Sequence, residues 1–378
     1  MNGRSFDDAV IGAGIIGLAH AYHLAARGRR VVVLERHPRA LGASVRNFGM
    51  LWPIGQPAGR SRDLAMRSRE IWRDVLDRTT IWYDTAGSLH LAYADDEAAV
   101  LQEFARDACA SGFPCQMQSP NEAASRSPHV RRDRLVAALW SPNEFTIDPR
   151  VALAQLPAWL RVRFGVTFEF DTQVTRCAPP YIRAGERTLM AERIWICSGD
   201  DLQTLFPDEL GRAGLSRCKL QMMRTQPMHW PLGPMIAGGL TLLQYRGFER
   251  CRSLPAVRER LERERPEHLR YGIHILVSQN SRGQLTIGDS HEYDEAIEPF
   301  DKAAIDALIL DALAELLELP DVRIEERWHG QYVKHPSAPY VVLSVAPDVV
   351  AVTGVGGAGM TLSFGLAEQT VRDALGSG

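Results

Sequence analysis

Three glycines and one acid near the start of the chain, Gly12, Gly14, Gly17 and Glu35, have the spacing that holds a pyrophosphate and a ribose. Gly12 permits a tight turn after a strand, Gly14 lets the backbone approach the phosphates, and Gly17 lets the next helix pack closely on the sheet. Glu35 stands where a carboxylate accepts hydrogen bonds from ribose hydroxyls. Far downstream, "IHILVSQNSRGQLTIGDSHEY" carries His274 and His291 on two alternating arms around a turn. If Arg282 and Gly283 make a two-residue turn, His274 faces His291 and Asp289 faces Leu276; a three-residue loop would shift that pairing. Such a pair either sits satisfied on a sheet face or donates to a bound anion, most strongly when protonated. The six cysteines, at positions 109, 115, 177, 197, 218 and 251, include no C-x-x-C pair. No zinc site and no Ser-His-Asp grouping is expected.

The elements that position these residues follow from local pattern. "AVIGAG" reads as a strand and its turn, "LAHAYHLAARG" as a helix stopped by Gly28, and "RRVVVLE" as a second strand ending in Glu35. Phosphates would lie at the helix N-terminus, where unpaired amides and the dipole favour negative charge. The acid argues against a dedicated 2'-phosphate site, although Arg36 follows it. Near the other end, "VAVTGVGGAGMTLSFGLAEQTVRDAL" gives a strand, a glycine-rich turn and a helix. A cofactor that draws both chain ends to itself is long: adenosine at the first turn, a flavin at Gly356, Gly357 and Gly359. FAD is therefore expected over NAD.

Composition narrows the class. Lys and Arg number 43 against 46 Asp and Glu, and the short basic runs alternate with acids, so nucleic acid is not an expected partner. There is no apolar run long enough for a membrane span, and Asp7 and Asp8 lead straight into the glycine motif, which leaves no room for a signal peptide. With scattered cysteines, a cytoplasmic protein is expected.

The chain resembles the superfamily of FAD-dependent amino acid and amine oxidases that includes D-amino acid oxidase, glycine oxidase and monomeric sarcosine oxidase. The resemblance rests on "GAGIIG" with Glu35, "ASVRNFGM", "IWICSGD", "ERWHG" and "TGVGGAGMTLSFG" together. It implies that Ile16, Arg36, Ser44, Asn47, Phe48, Gly49 and Met50 belong to the cofactor site and that Val174 contacts the adenine. It further implies that Ser198 and Gly199 close over the phosphates, while Gly354 to Thr361, including Ala358 and Met360, faces the flavin pyrimidine. The implied architecture is α/β: a Rossmann-like FAD-binding domain of the glutathione-reductase type with an inserted α+β substrate domain built on a mixed or antiparallel sheet. Residues 1–77, 149–216 and 338–378 are assigned to the first, 78–148 and 217–337 to the second. Within the second, "KLQMMRTQ" and "TLLQYRGFERC" read as strands, and "DKAAIDALILDALAELLEL" as a helix with a buried stripe.

The substrate end departs from the relatives. In glycine oxidase and D-amino acid oxidase an arginine after the Trp-x-Gly type segment clamps a carboxylate in bidentate fashion; the matching position here, in "RWHGQYVKHP", is Tyr332. Glycine oxidase also has a basic residue in its C-terminal flavin loop, where this chain has small residues at Gly357. His274, His291 and Tyr332, with Lys334 and Arg246 as further candidates, would form a polar, partly cationic pocket for an anion richer in oxygens than a carboxylate. "LTIGDSHEY", "ERWHGQY" and "GGAGMTLSFGLAE" resemble bacterial FAD-dependent oxidoreductases of phosphonate breakdown. That resemblance implies oxidation of 2-aminoethylphosphonate or its N-methyl derivative to phosphonoacetaldehyde, releasing ammonia or methylamine, with oxygen as acceptor and hydrogen peroxide formed. A glycine or sarcosine-type oxidase and a non-catalytic flavin subunit are the alternatives. A nearby dianion would favour the charged form of either histidine.

Sarcosine oxidases attach FAD through a cysteine in a segment that reads "VKHPSAPY" here, without cysteine. Noncovalent FAD is expected: acid precipitation should leave the yellow colour in the supernatant, and colour in the pellet would contradict it.

Overall fold

The computed structural model describes residues 5–294 and 296–376. Its first sheet is organised by the strand Ser5–Ile11, which runs parallel between Val31–Leu34 and Arg187–Ile196. Thr167–Glu169 extends the parallel array on one side and Val349–Thr353 on the other, while the hairpin Val174–Ala184 pairs antiparallel with the near half of Arg187–Ile196. Val10, Val32, Val33 and Ile194 are fully buried, as strands covered on both faces require.

The helices Ile15–Ala26, Arg60–Asp77 and Gly359–Leu375 pack together against one face of this sheet. Backbones come very close there: a Cβ on Gly17 would lie 1.9 Å from the Gly12 carbonyl oxygen, and one on Gly365 would lie 2.5 Å from the Leu64 carbonyl. The first and last helices are also stitched by buried imidazoles. His20 shares hydrogen bonds with the Ile16 carbonyl and Thr370 Oγ1, and His23 Nε2 donates to the Phe364 carbonyl at 3.0 Å.

A second, nine-stranded sheet draws on two stretches of chain. Ser88–Ala92, Gln116–Gln118 and Ala137–Ser141 come from one, and Ser216–Pro227 to Ile324–Lys334 from the other; they join where Met235–Ala237 runs parallel to Ser88–Ala92. Ser216–Pro227 pairs along one side with Ile324–Lys334 and along the other with Gln284–Gly288 and Glu292–Asp294. The helix Ala303–Leu316 buries Ile305, Ile309, Ala312, Leu313 and Leu316, the expected stripe. One strand expectation fails. "TLLQYRGFERC" forms a short helix, Thr241–Gln244, followed by a single 3-10 turn, Arg246–Phe248. Its apolar side chains Leu242, Tyr245 and Phe248 recur every three residues, a helical interval that a strand reading mistakes for alternation.

Burial keeps His20 and His23 neutral, pushing them down from 6.5 to about 4, and His90 down to about 3. A depressed imidazole stabilises the fold fully above its unfolded pKa and loses that contribution as pH falls through the window between 6.5 and about 4. Glu144, pushed up from 4.5 to about 7 by burial, acts in the opposite sense between those values, against the three rings just named. Thermal unfolding should therefore show a falling Tm across this range, and each ring contributes about 1.4 kcal/mol per pH unit. A flat Tm would contradict the neutral stitch.

Candidate active site

One long cavity of about 530 Å³ runs from the first glycine turn to the second sheet, lined by residues from both chain ends. At its nucleotide end Gly12 adopts φ +106, and a Cβ there would come 2.4 Å from the Cys197 carbonyl oxygen. Glu35 is buried, and both of its oxygens help hold the turn: Oε2 accepts from Ala13 N at 2.9 Å and Oε1 from His37 N at 3.0 Å. Ser44 Oγ accepts from Ile15 N at 3.0 Å, so its hydroxyl proton is left for an acceptor in the cavity. Arg36 reaches across to Asp201 at 2.8 Å, beside Ser198 and Gly199.

Of the cofactor residues expected from sequence, Gly12, Gly14, Ile16, Glu35, Arg36, Ser44, Asn47, Phe48, Val174, Ser198, Gly199, Gly356, Gly357, Gly359 and Met360 line this cavity. Gly17, Gly49, Met50, Ala358 and Thr361 stand behind it. Gly49, with φ +72, allows the Ile147 carbonyl to approach; Met50 is buried in a strand; Thr361 Oγ1 accepts from Trp52 N at 2.9 Å. These five shape the wall. The residues present fit an extended dinucleotide: anion-facing amides and a hydroxyl at one end, and side-chain-free backbone at Gly356 and Gly357 at the other.

The hairpin register differs from the two-residue expectation. Gly283 N donates to the Asn280 carbonyl, leaving a three-residue loop, and Leu276 pairs with Gly288 rather than Asp289. Asp289 instead exchanges both backbone hydrogen bonds with His274, at 2.8 and 3.1 Å. The imidazoles nevertheless meet: the rings of His274 and His291 stack with centroids 5.1 Å apart. His274 lies behind the wall, and His291 with Asp289 faces the cavity. His274 Nε2 comes within 2.9 Å of Asp289 Oδ1, but off the line of a hydrogen bond, so this buried oxygen keeps no aligned donor. His291 Nδ1 lies 3.1 Å from the Gly272 carbonyl, to which it donates. His274, Asp289 and His291 each offer one possible ligand atom within 4.8 Å of the others, and the Gly272 contact takes up one of the two nitrogens of His291.

Burial pushes His291 down, partly offset by the Asp289 charge. Without an anion beside it the site thus favours the neutral ring. Tyr332 and Tyr245 line the cavity, and burial raises both phenols, as it does Tyr293; all three remain O–H donors. Lys334 stands beside the cavity, its Nζ donating to Tyr293 Oη at 2.9 Å, and desolvation lowers its pKa. Arg246 turns away, paired with Glu249 and donating to the Ser337 carbonyl. Sequence reasoning passed over Tyr245, its neighbour, because only a helical phase points residue 245 inward when residue 246 points out. It left Asp289 without a role because the register was off.

Replacing Glu35 with alanine should weaken FAD binding about 10- to 100-fold, the loss of one to two charge-assisted hydrogen bonds, as read by titration of the apoprotein. Unchanged affinity would refute the placement of the ribose.

Comparison with known proteins agrees with this geometry. Residues 7–372 match the model of the family described as DAO, FAD dependent oxidoreductase. The D-amino acid dehydrogenase of Methylobacterium radiotolerans is 27% identical over 239 residues, 48% of this chain and 56% of that protein. The glycine oxidase of Geobacillus kaustophilus is 29% identical over 158 residues, 39% of this chain and 42% of that protein. The chain thus spans about half the length of the curated relatives it matches. Among solved structures, L-proline dehydrogenase from P. horikoshii superposes with a TM-score of 0.80 at 18% identity, covering 98% of this chain and 93% of that one. Glycine oxidase from Geobacillus kaustophilus gives 0.77 at 20% identity, covering 98% and 94%; both show a shared fold. With the family match running almost end to end, the chain belongs to the DAO family of FAD-dependent oxidoreductases.

Proposed function

We propose that this chain oxidises the C–N bond of a small aminophosphonate, 2-aminoethylphosphonate or its N-methyl derivative. The observation that carries the reading is that, among the described residues lining the cavity, no arginine is available at the substrate end. Among the residues lining the cavity, Arg36 is tied to Asp201 and Arg46 to the His329 carbonyl. What remains is a set of single donors: the hydroxyls of Tyr332 and Tyr245, with the Lys334 ammonium beside the cavity on Tyr293. A planar carboxylate is matched by a bidentate guanidinium; three tetrahedral oxygens carrying up to two charges are matched by several separately aimed donors.

Bound flavin supplies the two-electron chemistry, accepting hydride from the carbon next to nitrogen. The chain's own work is to orient that carbon, hold the anionic end on Tyr332 and Lys334, and present Asp289 and His291 to the nitrogen. Hydrolysis of the resulting imine gives phosphonoacetaldehyde and ammonia or methylamine, and oxygen is the proposed electron acceptor. The second reading, a glycine or sarcosine-type oxidase, is favoured by the local identity to glycine oxidase.

Anaerobic bleaching of the flavin by 2-aminoethylphosphonate, its N-methyl derivative, glycine and sarcosine separates the two. The aminophosphonates should be preferred by on the order of a hundredfold, the scale set by buried polar groups left unpaired with the wrong substrate; preference for glycine or sarcosine would sink the reading. An oxygen electrode reports the acceptor. Tyr332→Phe and Lys334→Ala should each raise KM for the aminophosphonate about 10-fold or more while sparing an uncharged amine, since the donor lost serves the anionic end. Equal losses on both substrates would place the anion elsewhere.

A further inference from the structure

The cavity holds a negative charge that the phosphonate does not explain. Asp289 is 5% exposed, faces the substrate end, and its Oδ1 is buried without an aligned donor. An anion brought alone into this space would be repelled, whereas a cationic nitrogen would complete the carboxylate. The adjacent His291 is held in one tautomer. Its Nδ1 proton goes to the Gly272 carbonyl at 3.1 Å, which leaves Nε2 as the lone-pair edge of the neutral ring. Gly272 is built for this contact: it adopts φ +54, and a Cβ there would lie 2.9 Å from His291 Cβ.

We propose that the substrate enters as an ammonium recognised by Asp289, and that His291 Nε2 takes the proton that must leave before oxidation. This rests on the amine-oxidation reading, not on the phosphonate. The step balances: the N–H bond breaks and its proton becomes the Nε2–H of an imidazolium held by the Asp289 carboxylate. With that lone pair freed, the C–N bond would be ready for the two-electron oxidation to C=N that a bound flavin would supply. His291 returns its proton to water as the imine hydrolyses. The groups facing the ring are Asp289 and His274 on its own sheet, Tyr293 and Lys334 at its edge, and Tyr332 opposite. Burial keeps the ring neutral and therefore able to accept, and the Asp289 charge restores part of its basicity. Asp289 is thus a specificity residue, His291 a catalytic residue, and His274, stacked behind, a positioning residue.

The test uses the FAD-loaded enzyme and whichever amine bleaches its flavin fastest, so failure of the phosphonate reading leaves it intact. Flavin reduction is followed from about pH 6 to about pH 10, the range in which imidazoles and amines titrate. His291→Gln should be slower by about 10²- to 10⁴-fold near neutrality and should recover about tenfold per pH unit as the amine deprotonates in solution. His291→Ala should be rescued in part by added imidazole. Asp289→Asn should weaken binding of the protonated amine about 10- to 100-fold, seen as a shift of the flavin absorbance titration. A His291→Gln profile displaced by a constant factor at every pH, or an Asp289→Asn variant with unchanged binding, would overturn the proposal. So would a wild-type rate abolished by a chelator, which would make the cluster a metal site.

Discussion

No side chain can stand at residue 17, because the Gly12 carbonyl oxygen already occupies its place. That contact sets the first helix hard against the first strand and aims its N-terminal amides at the cavity. The neighbouring backbone is as crowded: residue 12 touches the Cys197 carbonyl, so the first turn and the end of the strand Arg187–Ile196 are fixed together. From there the assembly is propagated by His20 and His23, which tie the first helix to the last, and the last helix begins at the turn expected to face the flavin. The cofactor cavity is thus a by-product of backbone approaches that only glycine permits.

At the other end the governing quantity is charge. Of the cavity's arginines, Arg36 is paired with Asp201 and Arg46 donates to the His329 carbonyl; its phenols are kept protonated by burial, and the Asp289 carboxylate has only imidazoles beside it. The proposed substrate, with a positive nitrogen at one end and a multiply charged anion at the other, is argued from both halves. A simple anion satisfies only the tyrosines and lysine, and pays the repulsion from Asp289.

The sequence made the cofactor end largely legible because its signals are local. Gly12, Gly14, Gly17 and Glu35 lie within one strand-helix-strand unit, and each has a steric or hydrogen-bonding reason for its identity that does not depend on distant partners. The substrate end was legible only as a set of candidates. One extra residue in the 281–283 loop moved Leu276 from Asp289 to Gly288, because hairpin pairing is determined by loop length, and a further one-residue shift beyond that pair sets Asp289 against His274. Tyr245 was hidden by a helical turn read as a strand, while of the residues selected for their charge Arg246 turns away to Glu249 and Ser337 and Lys334 stands beside the cavity with its ammonium on Tyr293. Spacing alone also cannot report that burial would leave His291 neutral, since that depends on everything packed around it.

Gly357 and Tyr332 show how such a site is kept open. A Cβ at residue 357 would lie 3.8 Å from the Tyr332 ring and hydroxyl, so a long basic side chain there would run across the tyrosine. At that distance a first side-chain atom would only touch the ring, so it is the length of a side chain at residue 357, not its presence, that would cover the phenol. The bare backbone at Gly357 therefore keeps the Tyr332 hydroxyl open to whatever enters the cavity.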